Sequence, residues 1–597
     1  MSTNSSYDFP IAKDAYVAFD GLSIKEKIRQ RLNQTGVFTD QNFEGSNLNA
    51  INDAFGMIFS VLLFNLNKAV NEGRMDAQIY ENVNRYVKQL DYKPIGHQTA
   101  SLSFTLSVKN LLAGIYTIPR YSSIKLGGIS YSFKDDISFV KSVDNTLEEL
   151  TSVGDNNLLY QGTFIEYPLF NPAGTENEII YLTTSDNISV DNFAIDVYVY
   201  RNNKWVKWNR TSSLYLHDST EYVYECRFNE NKRYELKFGN NINGSKLLST
   251  DIVAIYYLKS DGTKGEVGAN VLNGKKLSVY DSAQFASILA DNSFISTTDA
   301  TNLIFTNACA STYYTEPESI ASIKQNAPAN FRNQYSLTTA KSYETFIKSN
   351  FSSIIQDVVV KNNSDYLDGY IKYFYSIGLT QPHLESRALF NHLHFADSCN
   401  FNNVYIFVVP KSVANNLSYL TPAQKSVILS SMEEEKTLTA ELVILDPVYI
   451  ALDIALGMNG QTASLDDVSN TFIYIQKSST TRRNDASIIS DVNNLLTTYF
   501  SKSSNTLGQT VDLLNLQNKI LGIDGIKKIY TYNSVDNSKV EGLRFVSWNP
   551  IVSGNTFENL VGTKTMEYFQ FPYLFTSDFS NRIVIENGTN AAESIGS

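Results

Sequence analysis

The spacing of apolar residues changes along this chain of 597 residues, and that change constrains the fold more than any other feature. Up to about residue 95, apolar side chains recur every three or four positions, which is typical of amphipathic helices. From about 99 to 280 they alternate with polar ones, which indicates strands. Beyond about 335, helical and strand patterns alternate. The sequence therefore predicts a multi-domain α+β protein with an N-terminal helical bundle segment, a central antiparallel β-rich domain and C-terminal α/β-type domains.

Changes of pattern and turn residues give the domain boundaries. At roughly 150 residues per domain, a chain of this length has about four folding units. Residues 281–335 and the aromatic, Asn-rich end of the chain have no clear period. The predicted segments are a helical bundle segment (1–98), a β-rich domain (99–280), a connector (281–335), an α+β domain (336–455), a strand-helix-strand domain (456–541) and a C-terminal tail (542–597).

The longest predicted helix begins after Ser46, an N-cap residue type, and ends before Gly73. It carries two apolar stripes, whereas a helix that lies on its own domain needs one, so we expect it to be buried on most sides in a bundle with partner chains. An intramolecular hairpin with a predicted helix at 75–90 is the alternative. The expected partner-binding residues are Leu48, Ile51, Phe55, Ile58 and Leu62 in one stripe and Phe59, Leu63, Leu66 and Val70 in the other.

Charge and hydropathy exclude several classes of partner. The net charge is −12, and no cluster of Lys and Arg is present to displace counterions from phosphate, so we expect no nucleic acid partner. The longest apolar run, 54–64, is shorter than the roughly 20 residues that span a bilayer, so we expect a buried helix and no membrane partner. The polar N-terminus has no signal-peptide pattern. Three widely spaced cysteines fit assembly in a reducing cytoplasm.

No motif predicts an enzyme or a cofactor. Nucleotide-binding, nucleophile-elbow, zinc-protease and paired-cysteine patterns are all missing from the sequence. One group has metal-ligating residue types but no fourth ligand at a standard spacing, so we expect neither a metal nor another cofactor. The members of that group are His383, His392, His394, Asp397 and Cys399.

Neighbouring carboxylates, together with the histidine group, are the hints of hydrolysis. The carboxylates occur at 135–136, 148–149 and 433–435. A glycosidase needs two carboxylates that face each other across about 5–10 Å, and adjacency in sequence is more often a solvated surface. We therefore expect a structural protein, with a tail-associated polysaccharide or cell-wall hydrolase as the alternative. A repetitive fibre ranks third, because no repeat is present.

Four glycines in the β-rich domain are expected to form turns. They separate segments with strand periodicity, where a positive φ is commonly needed. These structural glycines are Gly239, Gly244, Gly262 and Gly265.

An ordered series of short phrases resembles the baseplate J family of contractile-tailed phages. Each phrase is loose, but their order holds from about residue 80 to 530. Further phrases at 36–45 and 545–550 resemble one member of that family more closely. The series consists of NVNRYVKQLDYKPIG (82–96), GIYTIP (114–119), FGNNING (238–244), YYLKSDGTKG (256–265), ESIASIKQNAP (318–328), NTLG (505–508) and GIDGI (522–526).

The resemblance implies a non-enzymatic subunit of the virion, located in the tail baseplate. Its N-terminal helices would pack with a second copy of the chain and with a larger wedge subunit. Its C-terminal domains would pair with neighbouring wedges to close an inner ring around the hub, next to other baseplate and sheath-initiating proteins. That ring would rearrange when the sheath contracts, with hinges near 280–335.

Overall fold

The computed structural model describes most of the chain, with gaps. The contacts between residues divide the chain into two compact units, Met1–Lys93 with Asn229–Asn231 and Ser319–Pro328, and Pro94–Phe228 with Lys232–Glu318 and Ala329–Ser597. The described residues are 21–37, 43, 45–72, 77–150, 157–184, 189–289, 294–332, 336–363, 365–366, 403–411, 417–458, 461–478, 480–501, 504–550 and 557–586, without the side chains of 21–24 and 67–71.

The described residues contain many helices and many strands, which confirms a mixed α+β protein. The described α-helices are α1 (Gly21–Thr35), α2 (Asn47–Glu72), α3 (Tyr80–Lys88), α4 (Ala283–Ile288), α5 (Ile320–Arg332), α6 (Ala340–Asn350), α7 (Pro422–Ser431), α8 (Leu465–Asn470), α9 (Asp485–Tyr499) and α10 (Leu513–Leu521).

The first half of the second unit is built mainly from strands. They are β1 (Ser101–Ser103), β2 (Thr105–Val108), β3 (Gly114–Ile118), β4 (Ser123–Leu126), β5 (Ile129–Ser132), β6 (Ile137–Lys141), β7 (Glu148–Leu150), β8 (Leu158–Gln161), β9 (Thr163–Glu166), β10 (Ile179–Leu182), β11 (Ser189–Arg201), β12 (Lys204–Thr211), β13 (Val223–Phe228), β14 (Tyr234–Phe238), β15 (Ile252–Ser260), β16 (Leu277–Ser278) and β17 (Leu303–Thr306).

The second half of that unit adds strands that alternate with helices. They are β18 (Ile355–Asn362), β19 (Asn403–Pro410), β20 (Glu441–Leu445), β21 (Val448–Ile454), β22 (Thr471–Lys477), β23 (Thr510–Asp512), β24 (Ile526–Asn533), β25 (Lys539–Glu541), β26 (Phe545–Trp548), β27 (Glu558–Leu560), β28 (Thr563–Thr565), β29 (Gln570–Leu574) and β30 (Ile583–Glu586).

The small core of the first unit joins α3 to the start of α5. Val83 and Val87 of α3 are buried against Ile323 and Ala327 of α5, together with Tyr92. Helix α3 therefore buries its apolar face on α5 and not on the stripes of α2. The alternative, a hairpin of α2 with residues 75–90, is wrong in its packing, because the apolar partner of α3 lies more than 200 residues away in the sequence.

A seven-stranded sheet dominates the β-rich part, with the order β10-β14-β13-β12-β11-β15-β9. Most of its pairs are antiparallel, and β12 and β13 are parallel. The Asn202-Asn203 turn between β11 and β12 has a positive φ at both residues, which suits the twist of a two-residue hairpin. Strand β10 forms one edge of this sheet.

The expected connector at 281–335 is instead part of a core. Strand β17 pairs with β2, and Leu303 and Phe305 are buried with Leu102 and Phe104. Ile295 belongs to the same cluster. The sequence prediction was wrong here because the segment is short and irregular, and its strand is completed by a pairing about 200 residues away.

Mixed sheets form the C-terminal part. The predicted strand-helix-strand unit is confirmed as β22, α9 and β24, and the two strands are antiparallel neighbours. The predicted tail from 542 is wrong, because its strands complete these sheets: β26 and β29 pair with β21, and β30 pairs with β22.

The four predicted turn glycines have two different roles. Gly244 and Gly262 have φ values of 73° and 67°, in the left-handed region. Gly239 and Gly265 do not have a positive φ, which corrects the expectation for them. A Cβ on Gly239 would lie 2.3 Å from the Gly244 carbonyl oxygen, and one on Gly265 would lie 2.3 Å from the Gln161 side chain. Close packing, and not backbone conformation, requires glycine at these two positions.

A fully buried lysine fixes the loop after β6. The Lys141 side chain is inaccessible to solvent, and its Nζ donates to Glu148 Oε2 at 2.8 Å and to Thr146 Oγ1 at 3.2 Å. The hydrogen bond from Lys141, helped by the backbone N–H of Ser142, lowers the pKa of the Glu148 carboxyl from 4.5 to about 2. Glu148 therefore stays ionised through most of the acid range.

Replacing Glu148 is expected to lower stability in a pH-dependent way. Glu148→Gln leaves Lys141 buried without its counter-ion, so the thermal midpoint at pH 7 should fall. Because the pKa of Glu148 is lower in the folded state, its ionised carboxylate stabilises the fold above pH 4.5. This contribution is lost as the pH falls from 4.5 to about 2. Calorimetric midpoints of wild type and Glu148→Gln should therefore converge over that window. Glu149→Gln, the exposed neighbour, is the control, and a difference that does not change with pH would contradict the pairing.

Candidate partner-binding surface

Helix α2 starts at a side-chain cap. The Ser46 hydroxyl accepts a hydrogen bond from the Asn49 backbone N–H at 3.0 Å, as its N-cap position in the sequence predicts. Helix α1 ends at Thr35, and Gly36 follows with a φ of 64°. The end of α1 and the start of α2 are therefore both determined by residues at those positions.

Polar groups join α1 to α2. Asn49 and Asn52 of α2 are buried at 3% and 4% exposure. The Arg29 guanidinium donates to Asn49 Oδ1 at 3.2 Å, and Asn52 Nδ2 donates to the Lys25 carbonyl oxygen at 3.1 Å. Lys25 also forms an ion pair with Asp53. Helix α1 thus covers the polar side of α2 and leaves most of the apolar stripes uncovered.

The predicted stripe residues of α2 are largely exposed. Leu48, Phe59 and Leu63 are half-buried, and the side chain of Val70 is outside the described residues. The alternative, burial of this helix within its own chain, is therefore wrong for the described residues, and burial by partner chains stays a prediction. The exposed members of the stripes, each between 53% and 59% exposed, are Ile51, Phe55, Ile58, Leu62 and Leu66.

Three further exposed residues were missed by the search for heptad stripes. Met57, Val61 and Phe64 are 72%, 51% and 67% exposed and widen the apolar surface of α2. They lie beside the first stripe, on the side away from the second stripe, and a count of every apolar position on the helix would have found them. We call the eight exposed large apolar residues from Ile51 to Leu66 the α2 surface.

The α2 surface is wider than one partner helix covers. At about 100° per residue, its side chains span an arc of roughly 200° around the helix axis, from Phe64 to Leu66. A heptad seam between two helices uses a much narrower stripe. Contiguous exposed apolar surface of this kind marks interaction sites in folded proteins. The geometry fits two partner helices on different sides of α2.

By length and composition alone, α2 is also apolar enough to cross a membrane. The window Asn47–Leu66 has a mean hydropathy of 1.3 and is 17% buried. The expectation of no membrane partner rested on a shorter apolar run, and the helix is longer than that run. A single helix of this type is weak evidence for a membrane span, because an apolar docking helix meets the same criteria.

The structure describes the other candidate sites of the sequence only in part. His383, His392, His394, Asp397 and Cys399 lie outside the described residues. Among the residues that are described, no group of three His, Cys, Asp or Glu side chains is placed to hold a metal ion.

The acidic pairs take part in local contacts. Asp136 forms an ion pair with Arg120 at 2.5 Å, and Glu433 forms one with Lys436 at 2.8 Å. A depression of about 150 Å³ near β27 and β28 contains one carboxylate, Glu558, which is paired with Lys564. Asp136, Glu433 and Glu558 are thus each paired with a neighbouring cation.

Comparison with known proteins gives one curated relative. Protein-family models were compared with the chain, and none matches. The "Baseplate wedge protein gp6" of Enterobacteria phage T4 is 25% identical over 368 residues, which are 58% of this chain and 52% of that protein. The chain resembles a baseplate wedge protein. This relative confirms the resemblance noted in the sequence, and the chain spans about half of its length.

One solved structure aligns with most of the chain, but with a low structural similarity score. The "Cryo-EM structure of the anti-feeding prophage (AFP) baseplate, 6-fold symmetrised" covers 93% of this chain and 90% of the matched chain, at 11% identity and a TM-score of 0.29. A score of this size gives the likeness no weight for fold or function.

Proposed function

We propose that the chain is a structural subunit of a contractile phage tail baseplate, a wedge protein of the virion. The α2 surface is the single observation that carries a role in assembly, because a helix with eight exposed apolar residues needs a partner to bury them. The similarity to a baseplate wedge protein supports a tail baseplate as that assembly. The proposal assigns no catalytic role to the chain.

The proposed partners of α2 are a second copy of the chain and a larger wedge subunit. Burial of apolar surface contributes roughly 25 cal/mol per Å², so side chains of the size of Phe55 and Leu62 make a large joint contribution. One added helix would leave part of the roughly 200° arc in water, whereas two would cover it. The polar contacts with α1 keep the Asn49 side of α2 out of that bundle.

We also propose that the chain takes part in a ring of wedges. The C-terminal domains of neighbouring wedges pair to close an inner ring around the hub, and the ring rearranges when the sheath contracts. A hinge for that movement does not lie within 294–306, because Leu303 and Phe305 are buried in a core. Movement between packed domains is the usual form of such switching.

Aspartate substitutions in α2 are expected to abolish co-purification with the wedge partners. Ile51→Asp and Ile58→Asp place a charge in the proposed bundle, where an unpaired carboxylate is costly. Both side chains are more than half exposed in the chain alone, so each variant should fold as wild type does. The measurement is pull-down of tagged chain from cells that co-express the larger wedge protein of the same virus.

The control is Leu438→Asp, which makes a similar change at an isolated leucine that is 98% exposed. It should co-purify like wild type. Unchanged co-purification of Ile51→Asp and Ile58→Asp would contradict the bundle. Recovery of the wild-type chain in the membrane fraction, lost in both variants, would assign the α2 surface to lipid instead.

A further inference from the structure

Strand β10 is an apolar edge strand with an open side. It pairs with β14 on one side, and no described strand or bridge pairs with its other side. Ile179 and Tyr181 are 38% and 53% exposed. The strand contains no lysine, proline or bulge, which are the usual means by which proteins block an edge.

The register with β14 identifies the backbone groups that face outward. Ile179 lies opposite Lys237, and the Phe238 N–H donates to the Glu178 carbonyl oxygen at 2.9 Å. Hydrogen-bonded and non-hydrogen-bonded pairs alternate along an antiparallel ladder. The N–H and C=O groups of Ile179 and Tyr181 therefore point away from β14, whereas those of Ile180 point toward it. Among the residues that the structure describes, one hydrogen bond reaches this side, a long one of 3.4 Å from the Thr183 hydroxyl to the Tyr181 carbonyl oxygen.

We propose that β10 pairs antiparallel with β10 of a second copy, with a two-fold axis at Ile180. Ile179 of each copy then lies opposite Tyr181 of the other, and the four outward N–H groups donate to the four outward carbonyl oxygens. The two seven-stranded sheets become one continuous sheet. Every outward group of this short strand is used, which is the self-complementarity that a two-fold interface requires.

Side chains and charge favour the same occupant. The pairing puts Ile179 against a tyrosine on one face, a β-branched and aromatic combination that stabilises neighbouring strands. No charged side chain lies within β10, so two chains of net charge −12 bring no like charges together at the axis. The adjacent Glu178 carboxylate accepts the Ala173 and Gly174 N–H groups at 2.7 and 2.9 Å, which keeps it within its own chain.

Disulfide trapping tests this interface in the full chain. In the proposed dimer, Ile180 of one chain lies opposite Ile180 of the second copy in a non-hydrogen-bonded pair. The Cα atoms of such a pair are about 4.5 Å apart, within the range that a disulfide spans. With Cys309→Ser and Cys399→Ser as background and the buried Cys226 kept, Ile180→Cys should form a covalent dimer under mild oxidation. Tyr181→Cys is the matched control, because position 181 of one chain lies two residues out of register with position 181 of the other. The distance between these two Cα atoms exceeds the roughly 7 Å that a disulfide can span.

A second variant separates pairing from random collision. Tyr181→Pro removes an outward N–H that β14 does not use, so the chain should fold while the dimer loses hydrogen bonds. In the Ile180→Cys background it should reduce the covalent dimer severalfold. Equal trapping with Tyr181→Pro, or equal trapping of Tyr181→Cys alone, would overturn the proposal.

Hydrogen exchange on the unmodified chain covers the case in which a variant does not fold. The Ile179 and Tyr181 amides should become protected as the chain concentration rises, and protection that does not depend on concentration would overturn the self-pairing. Protection that appears only when another baseplate protein is added would assign the edge to a strand of that protein instead. Ile51→Asp should still form the Ile180→Cys dimer, so failure here is distinguishable from failure of the α2 bundle.

Discussion

Asp453→Ala is expected to lower the free energy of unfolding of the C-terminal part by about 3–5 kcal/mol, the range for breaking a buried ion pair. Asp453 is completely buried on β21, and its carboxylate accepts from Arg582 Nη1 at 2.9 Å and from the Thr576 hydroxyl at 2.5 Å. Arg582 also donates to the carbonyl oxygens of Thr471 and Ile454 at 2.9 and 2.6 Å. Removing the carboxylate leaves a buried guanidinium without its counter-ion.

The double variant shows whether the pair itself causes the loss. Asp453→Leu with Arg582→Met removes both charges, and buried pairs replaced by apolar residues often retain stability. Urea unfolding monitored by tryptophan fluorescence, with Trp548 on the adjacent β26, measures both variants. We expect the double variant to be more stable than Asp453→Ala. If it is less stable, the hydrogen bonds from Arg582 to Thr471 and Ile454 matter more than the charge pair.

Elements with strong local signals were predictable from the sequence. Ser46 caps α2, and Pro422 occupies the first position of α7, where its missing N–H costs nothing. The strand-helix-strand pattern predicted within 456–541 appears as β22, α9 and β24. Caps, turns and periodicity act over a few residues, so a single sequence contains all the information that they need.

Pairings over long distances along the chain were not predictable. Strand β30 lies beside β22, about 110 residues earlier, and β17 lies beside β2, about 200 residues earlier. Short strands such as Leu303–Thr306 have too few residues to show a period, so only their partner identifies them. The two segments that sequence reasoning left as a connector and a tail are of this kind.

The apolar stripes of α2 could be read from the sequence, but not the chain that covers them. The stripes include Ile51 and Leu62, which are exposed in the chain alone, and their role in partner binding stays a prediction. An amphipathic pattern gives the apolar side of a helix and not the chain that covers it. Asn49 and Asn52 were the missing signal, because polar residues at consistent helical spacing mark the side that meets α1.

Deleting residues 1–71 is expected to abolish the wedge complex without unfolding the rest of the chain. The deletion removes α1 and the α2 surface but retains Glu72, whose carboxylate accepts the Gln78 and Ile79 N–H groups at 3.1 Å at the start of α3. Helix α3 also remains, so Val83 still covers Ile323 of α5. The truncated chain should therefore keep the thermal midpoint of the full chain.

Light scattering of the chain co-expressed with the larger wedge protein of the same virus measures the effect. The full chain should give the mass of two copies and one partner, as two helices beside α2 imply, and the truncated chain should give neither that mass nor any hetero-complex. A deletion to residue 95 would be a poor substitute, because loss of Val83 and Val87 exposes Ile323 and Ala327 and destabilises the remainder for an unrelated reason. A truncated chain that still forms the 2:1 complex would move the partner interface out of α2 and leave the exposed apolar arc without a role in assembly.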